Sequence, residues 1–289
     1  MQLLFYLLIY PILWFISILP FPLLYFFSDA IYLVVYYIIG YRKKTVRENL
    51  ALALPNLSDK ERLVIEKKSF HNLCDTFLEM IKTMSISKTE IDKRFVFTNI
   101  DVYKNLEKKQ KSIAMLCAHY ASYEWIVSMN SKVTFEAFAI YKKISNVYFD
   151  KLVHKIRSRF KAKLITTKET IPQIRENYKN KKLAIYGFAS DQSPKIGSSF
   201  HWSKFMGIEV PVHTGAEMLA KKYDMNVIFL RIRKVKRGFY EASFEVLSEN
   251  VTAVPNYEIT DKFLALVEEQ IYEAPEFYLW THKRWKHRK

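Results

Sequence analysis

Apolar side chains run almost without a break from Leu3 to Gly40: residues 1–28 carry no charged side chain, and Asp29 is the only charge before the run resumes. That length exceeds the roughly 20 residues a bilayer span needs. Pro11, Pro20 and Pro22 interrupt it. A single kinked span over about 3–27 followed by an interfacial helix is the first expectation, with a tight helical hairpin as the other arrangement. No basic residue precedes the run and no small-residue cleavage site comes after it, so it reads as a retained anchor rather than a signal peptide. Arg42, Lys43, Lys44 and Arg47 come directly after, and by the positive-inside rule they keep the downstream chain in the cytoplasm. The chain therefore divides into a membrane anchor, 1–41, and a working domain, 42–289.

Beyond the basic cluster the pattern turns helical. Residues 45–54 form a short helix ending before Pro55, and Ser58 caps a longer one through Lys82. In the latter Leu63, Phe70, Leu73, Phe77 and Ile81 recur on one face and are expected to pack on the domain. From Ser112 the period shortens. Segments 112–117, 135–140, 163–165, 183–188, 227–233 and 239–246 read as strands, most of them separated by helical stretches. This alternation predicts an α/β fold with a largely parallel central sheet and an antiparallel pair turning near Gly238.

Composition narrows the class. Half of the 289 residues are hydrophobic and only six are glycine, which excludes a disordered or fibrous chain; the formal net charge of +16 calls for anionic partners. Cys74 and Cys117 are the only cysteines, too few for a disulfide framework or a zinc site, so the domain belongs in a reducing compartment.

Candidate chemistry gathers at one strand end. The run Ile113-Ala114-Met115-Leu116-Cys117 leads through Ala118 to His119, and Glu124 stands in the first turn of an expected helix. Ligands of open α/β sheets sit beyond the carboxyl ends of strands. Of the seven histidines only His119 has an acidic residue five positions on. A carboxylate there could hold one imidazole nitrogen and leave the other to take a proton from an attacking hydroxyl. With a thioester as acyl donor, no covalent enzyme intermediate is required. The competing reading is a structural histidine at a strand end.

The segment His119-Tyr120-Ala121-Ser122-Tyr123-Glu124-Trp125 resembles the His-x4-Glu block of the bacterial lipid A late acyltransferases, the lauroyl and myristoyl transferase family. Three further blocks occur in that family's order. Tyr141-Lys142-Lys143 with Asn146, Asp150 and Arg157-Ser158-Arg159-Phe160 is similar to its acceptor-side segment. Ser190-Asp191-Gln192-Ser193-Pro194-Lys195 and Phe205-Met206-Gly207 resemble its Asp-Gln loop and Phe-Phe-Gly turn, and 278–286 resembles its C-terminal signature. The resemblance implies a membrane helix joined to the α/β fold of glycerolipid acyltransferases. It implies transfer of a fatty acyl chain from acyl-acyl carrier protein, with no other cofactor, to a hydroxyl of a lipid A precursor at the bacterial inner membrane. Catalysis would rest on His119 as base oriented by Glu124, with Arg157, Arg159, Asp191 and Gln192 binding substrate or organising the site. Ala121-Ser122-Tyr123 departs from the family's common Gly-Asn-Trp and Met206 from an aromatic, which leaves chain length and acceptor open; another membrane lipid is the nearest alternative acceptor.

Other features have plainer readings. Arg157 and Arg159 could be solvated helix charges, and Asp191 could open a turn. Cys117 points to the same strand face as His119 but reads as a buried, inert thiol. The sequence names no oxyanion donors; backbone amides near 121–123 or 191–197 are the geometric candidates. The basic stretches 231–237 and 282–289, with Trp280 and Trp285 at the interface, are expected to meet anionic inner-membrane lipids or the acidic carrier protein. A membrane-tethered binding protein for anionic lipid or nucleic acid is the function of a different class; no nucleic-acid motif supports it, and no nucleic acid is expected as a partner.

Overall fold

A computed structural model describes residues 2–198 and 201–289. Helix α1 (Gln2–Ile18) accommodates Pro11 without breaking. The chain stops at Pro20, whose backbone is extended, and restarts as α2 (Phe21–Leu33) with Pro22 in its first turn, where a missing N–H costs no intrahelical bond. A π-helical turn, Val34–Ile39, prolongs α2 up to Gly40 in the left-handed region. The kinked span expected over 3–27 is therefore two helices, and the stretch long and apolar enough to cross a bilayer is Phe21–Ile39, of which only 22% is buried. Leu4, Leu8, Phe26 and Ile38 are among its outward-facing side chains and those of α1.

Helices α3 (Lys43–Ala53) and α4 (Asp59–Lys82) match their expected spans, α4 opening with a reciprocal Ser58–Glu61 capping box. The expected apolar face of α4 is only half right: Phe70 and Ile81 are buried, whereas Leu63 and Phe77 are exposed. The helix is covered on more than one side, so its buried positions wrap around it and include polar ones. Ser28 donates to Asp75 at 2.7 Å, Lys82 donates to the carbonyls of Ser17 and Leu19, and Arg237 forks onto Asp75 and Asp29. Tyr25 closes the same seam: its hydroxyl packs where a Cβ at Gly238 would stand, and Gly238 has φ +75, so a side chain there would strain the turn and displace Tyr25.

The chain continues through α5 (Lys88–Arg94), β1 (Phe95–Phe97), α6 (Ile100–Glu107), β2 (Ile113–Cys117), a 3-10 helix (Tyr123–Ser131), β3 (Glu136–Tyr141), α7 (Val147–Arg157), β4 (Lys163–Thr166), α8 (Thr170–Lys179) and β5 (Ala184–Ala189). A hairpin of β6 (Trp202–Phe205) and β7 (Ile208–Pro211), α9 (Gly215–Lys222), β8 (Asn226–Lys236), β9 (Phe239–Ser248) and α10 (Glu258–Glu273) complete it. Seven strands form one sheet in the order β1-β9-β8-β2-β5-β3-β4, parallel except for the β8–β9 hairpin. This is the expected largely parallel α/β sheet, and all six expected strands are in it. Strand β1 and the separate β6–β7 hairpin lie outside the expectation because three- and four-residue strands carry too little alternation to read. Met206 and Gly207 turn that hairpin, both with positive φ, the backbone of a tight primed turn.

Glu79 is the most demanding buried group on α4. It is fully enclosed and accepts hydrogen bonds from Tyr25, Tyr240 and Ser122, at 2.8, 2.9 and 3.0 Å. Burial pushes its carboxyl up to about 7, opposed by the Lys234 charge. A folded-state pKa above the unfolded value means stability is lost as pH rises from the unfolded to the folded pKa. Glu79→Gln is expected to flatten that loss, on the order of 2–3 kcal/mol for a shift of this size, in denaturant titrations run between pH 4.5 and 8. An unchanged slope would show that the Glu79 carboxyl does not titrate there.

Candidate active site

The register of two neighbouring strands assembles the centre. Parallel pairing sets Cys117 of β2 beside Ala189 of β5. Two residues beyond these partners stand His119 and Asp191, so the pairing that builds the sheet also brings the two side chains together at its carboxyl edge. The His119 Nδ1 donates to Asp191 Oδ1 at 2.8 Å, and the His119 backbone N–H donates to the same oxygen at 3.1 Å. Asp191 is buried, while the His119 side chain keeps 21% of its surface accessible. Burial alone would push the imidazole down, but the Asp191 carboxylate outweighs it and the net direction is up; Asp191 is held below the ordinary carboxylate range, the His119 charge overcoming the cost of burial. With Nδ1 committed, Nε2 is the nitrogen left to accept a proton.

Glu124 stands on the 3-10 helix and is tied to α7. Arg157 donates to both of its carboxylate oxygens, Nε at 2.8 Å and Nη2 at 2.5 Å, the two-pronged geometry that fits guanidinium to carboxylate. The Glu124 charge still favours the protonated imidazole and Arg157 opposes it. The loop between is pinned from two sides. The Ala121 amide donates to the Phe277 carbonyl, Ser122 donates to Glu79, and the Trp125 indole donates to the Glu79 carbonyl and the Thr83 hydroxyl. Beside His119, a recess opens between α4 and the C-terminal segment, lined in part by Asn72, Thr76, Tyr123, Tyr278 and Thr281.

A family model described as "Bacterial lipid A biosynthesis acyltransferase" matches residues 2–287. The chain is 23% identical to a lipid A biosynthesis palmitoleoyltransferase of Escherichia coli (strain K12), with 96% of this chain and 89% of the relative covered. It is 22% identical to a lipid A biosynthesis lauroyltransferase of the same organism, covering 96% and 90%. The chain belongs to the bacterial lipid A biosynthesis acyltransferase family. It is an acyltransferase, and its remaining candidate residues sort by what they touch.

The expectation that Glu124 takes the imidazole hydrogen bond is corrected. Asp191 occupies Nδ1 and Glu124 is engaged by Arg157. The physical reason is the sheet register, which sets Asp191 opposite His119, whereas five residues of turn and 3-10 helix carry Glu124 toward α7. Gln192 comes directly after Asp191 and is half-buried. The Arg159 guanidinium donates to the carbonyls of Ile86 and Met84, tying the segment after α7 to the one after α4. Asn146 and Asp150 hold the start of α7, Asn146 capping it and Asp150 accepting from the Ile144 amide. Cys117 is buried, and burial pushes its thiol up to about 12, leaving almost no thiolate for nucleophilic attack.

The C-terminal aromatics are also corrected. Trp280 and Trp285 are each 1% exposed and stack on one another, Trp285 also on Phe205, so they are core rather than interface. Within stretch 231–237 most charges are paired inside the protein, Arg231 on Glu245 and Glu269, Lys234 on Asp75, and Arg237 on Asp29 and Asp75, while Arg233 meets Glu241 at the surface and Lys236 is exposed. Ala121 has φ +49, the left-handed region, which costs an L-residue about 1–2 kcal/mol; glycine, common here in the family, would be free of that cost. Its amide is already taken by Phe277, which removes it from the candidate oxyanion donors. No group of three or more metal-ligating side chains occurs among the described residues.

The Glu124–Arg157 pair is buried enough for its loss to be felt in folding. Glu124→Ala, which strands the Arg157 charge, is expected to destabilise by roughly 3 kcal/mol, and the Glu124→Ala, Arg157→Ala double variant to lose clearly less than the sum of the single losses. Chemical denaturation of the four proteins closes the cycle; strict additivity would show that the pair is not coupled.

Proposed function

We propose that this protein is a membrane-bound enzyme transferring a fatty acyl chain from acyl-acyl carrier protein to a hydroxyl of a lipid A precursor on the cytoplasmic side of the bacterial inner membrane. One observation carries the mechanism: a partly accessible histidine at a sheet's carboxyl edge, its Nδ1 held by a buried aspartate at 2.8 Å. His119 Nε2 accepts the proton of the acceptor hydroxyl as its oxygen attacks the thioester carbonyl. The tetrahedral intermediate collapses, the carbon–sulfur bond breaks, and the imidazolium returns its proton to the leaving thiolate. Asp191 orients the ring and offsets the charge that forms on it. Glu124 and Arg157 sit at the flank, Glu124 adding to the field that favours the imidazolium. Names of the relatives support lipid A chemistry; the outward apolar faces of α1 and α2 support the membrane setting. The net charge of +16 supports a partner as acidic as a carrier protein or an anionic leaflet.

His119→Ala is expected to lower transfer of a labelled acyl group by about 10²–10⁴-fold, the usual worth of a general base. Asp191→Asn should lower it comparably and also move the acidic limb of the pH–rate profile to lower pH, because removing the carboxylate removes what holds the imidazole pKa up. A wild-type rate in His119→Ala, or an Asp191→Asn limb moved upward, would overturn this mechanism.

The membrane setting is checked separately. The full-length protein should stay with the membrane pellet after washes in high salt and in alkaline carbonate, since screening loosens electrostatic attachment and leaves a span in place. Release by salt alone would refute a spanning helix.

A further inference from the structure

Glu79 of α4 is fully enclosed, and three hydroxyls from separate parts of the chain converge on its carboxylate. Tyr25 of α2 donates at 2.8 Å, Tyr240 of β9 lies 2.9 Å from both oxygens, and Ser122, directly before the 3-10 helix, donates at 3.0 Å. The backbone carbonyl of the same residue accepts from the Trp125 indole at 3.1 Å. Glu79 therefore grips the loop after His119 twice, at 122 through its side chain and at 125 through its backbone. Ser122 and Trp125 are both buried.

Between the two grips stand Tyr123 and Glu124. The Tyr123 ring meets the His119 imidazole edge-on, ring centres 5.1 Å apart, and both residues line the recess beside α4. Glu124 is held by Arg157 at 2.8 and 2.5 Å. Just before the first grip, Ala121 has φ +49, a conformation that persists in alanine only where the surroundings impose it. Here the Thr76 hydroxyl, one turn ahead of Glu79 on α4, reaches the Ala121 carbonyl at 3.4 Å, and the Phe277 carbonyl takes its amide.

A fully buried carboxyl is a costly way to join a helix to its neighbours, since an apolar side chain of similar size would fill the space without giving up hydration. What the carboxylate adds is direction. We propose that Glu79 is a positioning residue for acyl transfer, its carboxylate holding Ser122 so that Tyr123 and Glu124 keep fixed places around the His119 imidazole. Tyr240, bonded to both oxygens, keeps the carboxylate itself in place. Ser122 carries its effect to the loop, and Tyr25 joins it to α2 on another side.

The kinetic arm of the test rests on the acyl-transfer reading; the spectroscopic arm does not. Ser122→Ala cuts the bond to the loop, and Tyr25→Phe cuts a bond of the same kind to a different element. In full-length protein in detergent, with a labelled acyl group on its carrier protein and a lipid A precursor as acceptor, Ser122→Ala is expected to lower kcat by about 10–10²-fold, the cost of a small displacement of positioned groups, and to leave KM within about twofold of wild type. Ser122→Thr, which keeps the hydroxyl, should restore most of the rate. Tyr25→Phe should keep the wild-type kcat, and adding Glu79→Gln to Ser122→Ala should lower kcat no further. A purely structural role predicts instead that rate follows stability in every variant. Full kcat in Ser122→Ala overturns the proposal, as does an equal fall in Tyr25→Phe.

For the spectroscopic arm, the Tyr123 ring current makes the His119 ring protons a monitor of the spacing between the two rings. In protein carrying labelled histidine, these NMR signals should move in Ser122→Ala and stay in Tyr25→Phe; His119 signals that superimpose in Ser122→Ala and wild type overturn the proposal. Should Ser122→Ala not fold, Ser122→Cys, which keeps the size and weakens the donor, carries the same two readouts. Moved His119 signals in a protein whose wild type transfers no acyl group to any lipid A precursor would uphold the positioning and sink the functional reading.

Discussion

A carboxylate removed from water must find compensation, and most of the centre of this protein is organised around how Asp191 finds it. The residue lies at the carboxyl end of a central strand, completely enclosed. An isolated buried carboxylate would give up its charge rather than bear the loss of hydration. Two N–H groups of His119, one from the backbone and one from the ring, meet it at 3.1 and 2.8 Å. This mutual dependence fixes the ring orientation and the tautomer together. It also leaves the partly accessible imidazole lining the recess beside α4.

Sheet architecture makes such a meeting dependable. Because β2 and β5 are parallel neighbours, their carboxyl ends rise side by side, and residues at matched distances beyond them face one another. The second acidic residue, Glu124, comes from the same turn as His119 yet points to α7, where Arg157 grips it with two donors. The imidazole therefore sits in a field from two carboxylates, one bonded and one offset by a guanidinium. A loop that leaves β2 and turns at a left-handed alanine holds this arrangement because α4 and the C-terminal segment pin it from separate sides.

How much of this could be read from the chain depends on sequence distance. The strands were legible because β-branched and aromatic runs alternate with helical stretches, and the α4 start because Ser58 and Glu61 stand at capping-box spacing. His119 was legible as a candidate because a histidine after an apolar run falls at a strand's carboxyl end. Its partner was misassigned because spacing shows neighbours along the chain, and Asp191 lies 72 residues away. Only the resemblance of 190–195 to a family block marked Asp191 at all. Trp280 and Trp285 were misplaced for a related reason: an aromatic beside basic residues reads as interfacial, and nothing local reveals that Phe205 stacks on Trp285 from 80 residues upstream.

The N-terminal apolar run was legible as containing a helix long enough to cross a bilayer, but its polar minority carries a second message. Ser28 bonds Asp75, Asp29 bonds Arg237, and the Tyr25 hydroxyl reaches Glu79. Ser122, two residues before Glu124, donates to that same Glu79. One buried carboxyl thus joins the bilayer-length helix, the β8–β9 hairpin through Tyr240 and the loop that follows His119. An appended anchor would need no polar seam, since a peptide tether holds a domain at a membrane well enough. Hydrogen bonds of this kind fix the orientation of α2 against α4. The position of the recess relative to α2 is then set by packing rather than by a flexible linker.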